Sequence, residues 1–212
     1  MSRDFETFQR SEEPGCVVAP WRVRRSRPIF RDRWVSLRAD DCTTASGRDV
    51  SPYYVLEVPD FAHVVALDRE GHIVLVRQYR HGARLASLEL PGGVVDPADG
   101  SPLAAAAREL REETGFAGTA QLLHTLSADP ARYDNRLHLV LVSDAVKVCD
   151  PAPDDTEDIE VVLLPIEEAV RRAMTGGLLG AVHVGLLMMG LQHAGLLMAG
   201  LQMALDPTTA EP

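Results

Sequence analysis

Three glutamates, Glu109, Glu112 and Glu113, stand close together in the stretch RELREETGF, residues 108–116. In an α-helix these positions are related as i, i+3 and i+4, so the three side chains share one face. Carboxylates this close repel one another unless a cation lies between them or some of them take up protons. Their oxygens are hard ligands that suit Mg²⁺ or Mn²⁺. The spacing therefore indicates either a divalent metal site or a solvated, charged helix face.

The residues around the glutamates predict the helix that presents them. Ser101 can cap a helix over residues 101–115, Pro102 suits its first turn, and Gly115 can end it. The side expected to pack on a sheet carries Leu103, Ala106, Ala107 and Leu110.

Apolar β-branched stretches predict strands on both sides of this helix. AHVVAL and IVLVRQY, joined by DREGH, predict a hairpin over residues 62–79, and a glycine pair follows a short strand in LASLELPGG. Further strands are expected at AQLLHTL, LHLVLVS and IEVVLLP, and a second helix at about residues 167–175. Strands before, between and after two helices predict an α+β or layered α/β/α domain.

The start of the chain has a different pattern. Residues 34–58 contain short β-like stretches around a polar turn and predict a small antiparallel β unit. The preceding arginine-rich segment, with RVRRSR at residues 22–27, is interleaved with acidic residues. We interpret it as a solvated, charge-mixed surface, with a phosphate or RNA contact as the alternative.

Composition narrows the class of protein. A chain of 212 residues that is 46% hydrophobic and 25% charged can bury a full core. A net charge of −10 argues against a protein that coats nucleic acid, because such binding depends on Lys and Arg neutralising phosphates. Three widely spaced cysteines without a CxxC pair, and an N-terminus without an apolar stretch, lead us to expect a cytoplasmic protein with reduced thiols.

The stretch GGVVDPADGSPLAAAARELREETGF resembles the Nudix box. Every position of the second half of the box matches, from Arg108 to Phe116. The first half departs, because Gly100 stands where the family has a glutamate and Gly93 is one residue too far away. A one-residue insertion in DPADG would leave Asp99 nearest the missing carboxylate, which in the family braces the loop against the box arginine.

The flanks of the box resemble ADP-ribose pyrophosphatases and related nucleoside-diphosphate-sugar hydrolases over about residues 20–190. The matching features are VRQYRHG, LELPGG, Pro130, the NR of YDNRLH, and TEDIEVVLLPIEEA. The resemblance implies a Nudix α/β/α sandwich with a mixed sheet and a small N-terminal antiparallel β unit. It also implies hydrolysis of the pyrophosphate bond of ADP-ribose or a similar nucleotide sugar.

The resemblance assigns roles to particular residues. Metal ions would be held by Glu109, Glu112 and Glu113, with the carbonyl of Gly92 as a further ligand, and the metal would be Mg²⁺ or Mn²⁺. The catalytic set comprises Glu112 and Glu113, with Asp155 and Glu157 of the late acidic loop as candidate general bases and a box glutamate as the alternative base.

Substrate contacts are expected from arginines, because a guanidinium is the natural bidentate partner of phosphate. Arg80 and Glu89 best match substrate-contacting positions, and Arg77 is a further candidate whose alternative role is a surface salt bridge. Arg84 has the same two alternatives. A nucleobase could stack on one of three aromatic residues: Trp21, Trp34 or Tyr53.

The C-terminal part contains a ten-residue repeat, GLLMMGLQHA followed by GLLMAGLQMA, at residues 185–204. The stretch 178–205 has no Asp, Glu, Lys or Arg and is long enough to span a bilayer. A glycine at every fifth position scatters weak helix formers over all faces, so we do not expect membrane insertion. We expect the first copy to pack on the core, and the second to extend the helix into a dimer contact or an exposed patch.

These patterns predict three segments: an N-terminal β unit with a flexible start over residues 1–58, a Nudix hydrolase domain over 59–192, and a duplicated apolar tail over 193–212. The expected partners are a small nucleotide-sugar substrate and a second copy of the chain, with no nucleic acid. Two other functions stay open: a GDP-mannose type of hydrolase, which LPGG in place of LPAG leaves open, and a non-catalytic sensor of nucleotide sugars.

Overall fold

The computed structural model describes residues 19–33, 35–153 and 157–204. For Ala204 it describes the main chain only. Its contacts divide the chain into two units. One unit holds the chain up to Pro59 together with Ser127–Arg136, and the other holds Asp60–Leu126 and the chain from Leu137 on. Each unit contains a sheet of its own.

The first unit is a three-stranded antiparallel sheet in the order β1 (Arg22–Arg31), β2 (Ser36–Thr43) and β3 (Asp49–Glu57). The loop Ser127–Arg136 belongs to this unit, since Arg132 accepts a main-chain hydrogen bond from Leu56. The predicted antiparallel unit is present, but β1 was not predicted as a strand. Its other arginines are exposed, and the half-buried Arg27 forms an ion pair with Asp41 across the ladder at 3.1 Å.

The second unit is a seven-stranded mixed sheet. Its strands are β4 (Phe61–Leu67), β5 (His72–Arg80), β6 (Leu85–Glu89), β7 (Gly92–Val94), β8 (Phe116–Leu126), β9 (Leu137–Lys147) and β10 (Ile159–Pro165). The order is β10-β5-β4-β9-β8, with β6 paired to β5 and β7 paired to β4. Strands β4 and β9 are parallel, and the other pairs are antiparallel.

Helices cover both faces of this sheet, which gives the expected α/β/α sandwich. They are α1 (Pro102–Thr114), α2 (Ile166–Met174), α3 (Ala181–His193) and α4 (Leu197–Ala204). Because successive side chains of a strand point to opposite faces, β4 directs Val64 towards α1 and Val65 towards the layer that contains α2 and α3. Both cores are therefore built from alternate residues of the same strands.

The two copies of the C-terminal repeat form different structures. The first copy lies in α3, whereas Gly195 has a φ of +74° and ends the helix before the second copy begins α4. Helix α4 turns back at 114° and packs on α2, so it does not extend α3 as expected. Among the described residues no single helix is long and apolar enough to cross a membrane, although α3 and α4 pass that test of length and composition as a bent pair.

Candidate active site

The site begins with the ends of α1, which the sequence defines locally. Ser101 Oγ accepts a hydrogen bond from the N–H of Ala104 at 3.1 Å, and Pro102 occupies the first turn. Gly115 ends the helix with a φ of +75°. A Cβ at that position would lie 2.2 Å from the carbonyl oxygen of Cys149, so only glycine fits.

The buried face of α1 differs from the prediction by a small rotation. Ala105, Ala106 and Leu110 are buried, whereas Ala107 is exposed. The same stripe continues to position 113, three residues after Leu110, and this buries the side chain of Glu113 to 3% exposure. One carboxylate of the three therefore belongs to the buried face of the helix.

The two glycines of β7 bring the main chain close to these carboxylates. Gly92 pairs with His63, has a φ of +147°, and donates its N–H to Glu113 Oε2 at 2.8 Å. A Cβ at Gly93 would lie 2.7 Å from Cδ of Glu109. The carboxylate of Glu109 thus occupies the space that a side chain at position 93 would need.

Arg108 organises the polar side of the helix. Its Nε and Nη2 donate to the two carboxylate oxygens of Asp99 at 2.7 and 3.1 Å, and its Nη1 contacts Glu109 at 2.9 Å and Glu112 at 2.8 Å. Asp99 belongs to a short 3₁₀-helix over Pro97–Asp99, and its side chain is only 7% exposed. It makes the contact that the resemblance implies for the glutamate replaced by Gly100.

The carboxylates of α1 carry more negative charge than their surroundings neutralise. Burial, followed by the charges of Glu109 and Glu157, raises the pKa of Glu113 to about 8, although the hydrogen bond from Gly92 opposes this shift. Burial, with the charges of Glu112 and Glu157, also raises the pKa of Glu109, against the effect of Arg108. A bound cation would relieve both costs.

Arg80 is held beside this group by a buried partner. Its Nε and Nη2 donate to the carboxylate of Glu89, with the shortest distance 2.6 Å. That hydrogen bond, with smaller effects from the charges of Glu113 and Glu157, raises the pKa of Arg80 against the cost of its burial. The structure thus brings together Arg80, Glu89, Glu157 and the three glutamates of α1.

Other predicted residues have different contacts or lie outside the described residues. Arg77 forms a salt bridge with Glu160 at 2.6 Å across β5 and β10, the alternative considered for it, so its substrate contact stays a prediction. Trp34 and Asp155 lie outside the described residues. Tyr53, in the first unit, packs edge-on against Trp21 with ring centroids 5.8 Å apart.

Two histidines near the site were not predicted. His183 of α3 lies 3.5 Å from Glu89, and His63 of β4 packs edge-on against His183 with centroids 4.8 Å apart. For His183 the sequence offered one signal, a polar residue inside the stretch 178–205 that has no Asp, Glu, Lys or Arg. That pattern does not specify which strand a helical side chain will meet.

The donor set can be compared with the needs of a divalent cation. Three carboxylates, two of them with a raised pKa, beside a main chain that lacks side chains at positions 92 and 93, fit a hard cation such as Mg²⁺ or Mn²⁺. Arg108 Nη1 bridges Glu109 and Glu112, whereas Glu113 is held by the N–H of Gly92.

The residues that the structure describes contain one compact trio of side chains able to ligate a metal. Its members are Asp68, Glu70 and His72, whose ligand atoms lie within 4.8 Å of one another. Asp68 Oδ1 accepts hydrogen bonds from the N–H groups of Glu70 and His72. This carboxylate therefore stabilises the turn between β4 and β5.

A mixed sheet between helical layers, with an REXXEE helix beside a Gly-Gly strand, defines the Nudix class of hydrolases. Residues 58–179 match the model of the NUDIX domain, and residues 21–56 match that of the nucleoside diphosphate sugar hydrolase N-terminal domain. The chain therefore belongs to the Nudix hydrolase family, as the sequence predicted.

Named relatives support the same assignment. The chain is 37% identical to an ADP-ribose pyrophosphatase of Mycobacterium tuberculosis over 123 residues, which is 57% of this chain and 59% of that protein. It is 30% identical to a CMP-5'-(N-acetyl-N-hydroxy-3-aminopropyl)phosphonate hydrolase of Streptomyces rubellomurinus over 79% of this chain and 81% of that one. A crystal structure of an ADP compounds hydrolase superposes with a TM-score of 0.70 at 21% identity, covering 84% of this chain and 98% of that one, and shows the same fold.

Proposed function

We propose that this Nudix hydrolase cleaves the pyrophosphate bond of ADP-ribose or a similar nucleoside-diphosphate sugar. The products are a nucleoside monophosphate and a sugar phosphate, and the cofactor is Mg²⁺ or Mn²⁺. One observation carries the proposal: two carboxylates of the REXXEE helix lie against the glycine strand, where Gly92 donates its N–H to Glu113 at 2.8 Å and the carboxylate of Glu109 fills the space beside Gly93. The match of residues 21–56 to the N-terminal domain of sugar-nucleotide hydrolases supports the substrate class.

The proposed metal ligands are Glu109, Glu112, Glu113 and the carbonyl of Gly92. When bound, the divalent cation neutralises the charge on the pyrophosphate and on the departing phosphate. The close approach of Gly93 fixes the position of Glu109, and Arg108 holds the polar face of α1 against Asp99. These contacts keep the ligand set in place before substrate arrives.

Arg80 is the proposed pyrophosphate contact. Its guanidinium is charged and its Nε–Nη2 edge is held by Glu89, so its remaining N–H groups are oriented before phosphate oxygens bind. Arg77 and Trp34 complete the proposed substrate contacts.

A carboxylate must accept a proton from the attacking water. Glu157 and Asp155 are the proposed bases, and the effect of the Glu157 charge on Glu109 and Glu113 supports its nearness to the metal ligands. A glutamate of α1 is the alternative base.

The experiment is a substrate panel with Mg²⁺: ADP-ribose, GDP-mannose, UDP-glucose, NADH and diadenosine polyphosphates, with products separated by chromatography. We expect AMP and ribose 5-phosphate from ADP-ribose, and loss of activity with EDTA. Glu112→Gln should lower turnover by roughly 100-fold or more, because a half-exposed ligand is lost without a change in the core.

The matched control is Glu167→Gln on α2, on the opposite side of the sheet, which should leave turnover unchanged. Faster cleavage of GDP-mannose would assign the other substrate class. Full activity of Glu112→Gln would contradict the metal assignment, and tight binding of one compound without cleavage of any would favour a sensor.

We also propose that the protein is a homodimer in the cytoplasm. The first unit exposes a set of large apolar side chains, namely Trp21, Val23, Ile29, Phe30 and Tyr54. The described cysteines, Cys42 and Cys149, carry free thiols, in keeping with a reducing compartment.

A further inference from the structure

His183 lies near the start of α3, within the second unit. Its side chain occupies space that a side chain at Gly180 would need, and it contacts the end of β6. A Cβ at Gly180 would lie 2.6 Å from Cδ2 of His183, so the imidazole packs directly over the helix start. Only 12% of the His183 side chain is exposed. It is a largely buried polar group, and its two nitrogens need partners.

Both nitrogens face the strand end that carries Glu89. Nδ1 accepts a hydrogen bond from the main-chain N–H of Leu90 at 3.2 Å. The proton of the neutral ring therefore lies on Nε2, which faces Glu89 Oε2 at 3.5 Å, at the outer limit of a hydrogen bond. Burial lowers the pKa of His183 below its ordinary value, which favours this neutral form.

The contact between His183 and Glu89 lies next to the residues proposed to bind the pyrophosphate and the metal. Glu89 is buried. Its Oε2 accepts a hydrogen bond from Nη2 of Arg80 at 2.6 Å and also faces His183. Leu90 leads directly into Pro91 and the glycines of β7. One imidazole therefore contacts both the carboxylate that orients Arg80 and the main chain that leads to the proposed metal site.

We infer that His183 is a positioning residue for the pyrophosphate contact: it holds the carboxylate of Glu89 and the N–H of Leu90, and through Glu89 it orients the guanidinium of Arg80. This inference rests on the proposed function, because it assigns Arg80 to the pyrophosphate. It gives α3 a role in substrate binding in addition to its packing role.

The two contacts can be separated by substitution. Asn at position 183 offers a carbonyl oxygen near the site of Nδ1 and removes the contact with Glu89. Gln offers an N–H₂ group near the site of Nε2 and removes the acceptor for Leu90. His183→Phe keeps a ring and removes both contacts. The control is His193→Phe at the exposed end of the same helix.

The experiment measures kcat and KM for ADP-ribose with Mg²⁺, alone and in an Arg80→Ala background. We expect His183→Phe to raise KM about tenfold, because a misplaced guanidinium loses binding to the substrate. Asn and Gln should each give a smaller increase, and His193→Phe none. In the Arg80→Ala background His183→Phe should have no further effect on KM, since both changes remove the same interaction.

A structural role alone would give a different result. It would lower the melting temperature and the fraction of active enzyme to the same extent in the wild-type and Arg80→Ala backgrounds, and it would leave KM unchanged in the wild-type background. If His183→Phe does not fold, the Gln variant decides between the two roles by the same measurements. Wild-type turnover with an unchanged KM in the His183 variants would overturn this inference alone, whereas no wild-type turnover of any nucleotide sugar would overturn the proposed function and this inference with it.

Discussion

Gly92 and Gly93 are neighbours in β7, yet a side chain at each position would meet a different part of the molecule. At Gly93 a Cβ would lie 2.7 Å from the carboxylate carbon of Glu109, which ends a flexible side chain and can move away. At Gly92 it would lie 2.2 Å from the carbonyl oxygen of Ala62, in a conformation with φ of +147°. A side chain at position 93 would therefore displace a carboxylate, and a side chain at position 92 would displace the backbone.

We therefore predict that alanine at position 93 lowers activity, whereas alanine at position 92 lowers stability. Gly93→Ala should lower turnover about tenfold or more with a nearly unchanged melting temperature, because it displaces Glu109. Gly92→Ala should lower the free energy of unfolding by about 1–3 kcal/mol or more, because the backbone must shift. Nucleotide-sugar turnover and thermal unfolding measure the two effects. Full activity of Gly93→Ala would contradict the assignment of Glu109 to the metal site.

At the residue scale, spacing predicted the three glutamates and the caps at Ser101 and Gly115, because these depend on positions within one helix. It did not predict that Glu113 is buried while Glu112 is half-exposed. That difference depends on how α1 rotates against the sheet, and the sheet is built from residues far away in the chain.

At the scale of elements, the repeat shows that similar segments can pack differently. Gly190 of the first copy faces the core, where a Cβ would lie 2.8 Å from Cγ2 of Val65. Gly200 of the second copy faces α2, with Val170 at 3.1 Å from such a Cβ. Gly185 is exposed within α3 with no heavy atom within 4 Å of that position, whereas its counterpart Gly195 ends the helix.

Gly185 and Gly190 thus form a matched pair for a stability measurement. Gly185→Ala should raise the free energy of unfolding by about 0.5–1 kcal/mol, because it removes a flexible glycine from an exposed helix position. Gly190→Ala should lower it by about 1–3 kcal/mol, because the added methyl overpacks against Val65. Chemical denaturation measures both changes. Equal effects of the two substitutions would contradict the packing of α3 on β4.

Strand β1 illustrates why some elements escape prediction. Its arginines alternate with few apolar residues, and nearly every position is exposed, so no buried face imposes a pattern on the sequence. The strand exists because it pairs with β2, whose Asp40 accepts a hydrogen bond from Ser26 and whose Asp41 forms an ion pair with Arg27. Pairing of this kind is a property of two segments and not of one.

At the scale of the whole molecule, the first sheet exposes apolar residues on β1, and the proposed dimer gives them a partner. We predict that light scattering after size-exclusion chromatography will give the mass of two chains. Val23→Glu and Phe30→Glu should shift the protein towards the monomer, because a carboxylate is costly to bury at an apolar contact. Leu163→Glu, an exposed position on β10 in the second unit, is the control and should leave the mass unchanged. A monomeric wild type would contradict the proposal.

The sequence by itself determined the family, the mixed α/β/α architecture and the candidate metal ligands, because each depends on local spacing: the box, the alternation of the strands and the face of one helix. Only the tertiary structure decided which carboxylates are buried, that Asp99 contacts Arg108, that Arg80 is held by Glu89, and that His183 contacts both Glu89 and Leu90. These contacts join residues on different elements. They arise when the layers pack, and a pattern within a single segment does not contain them.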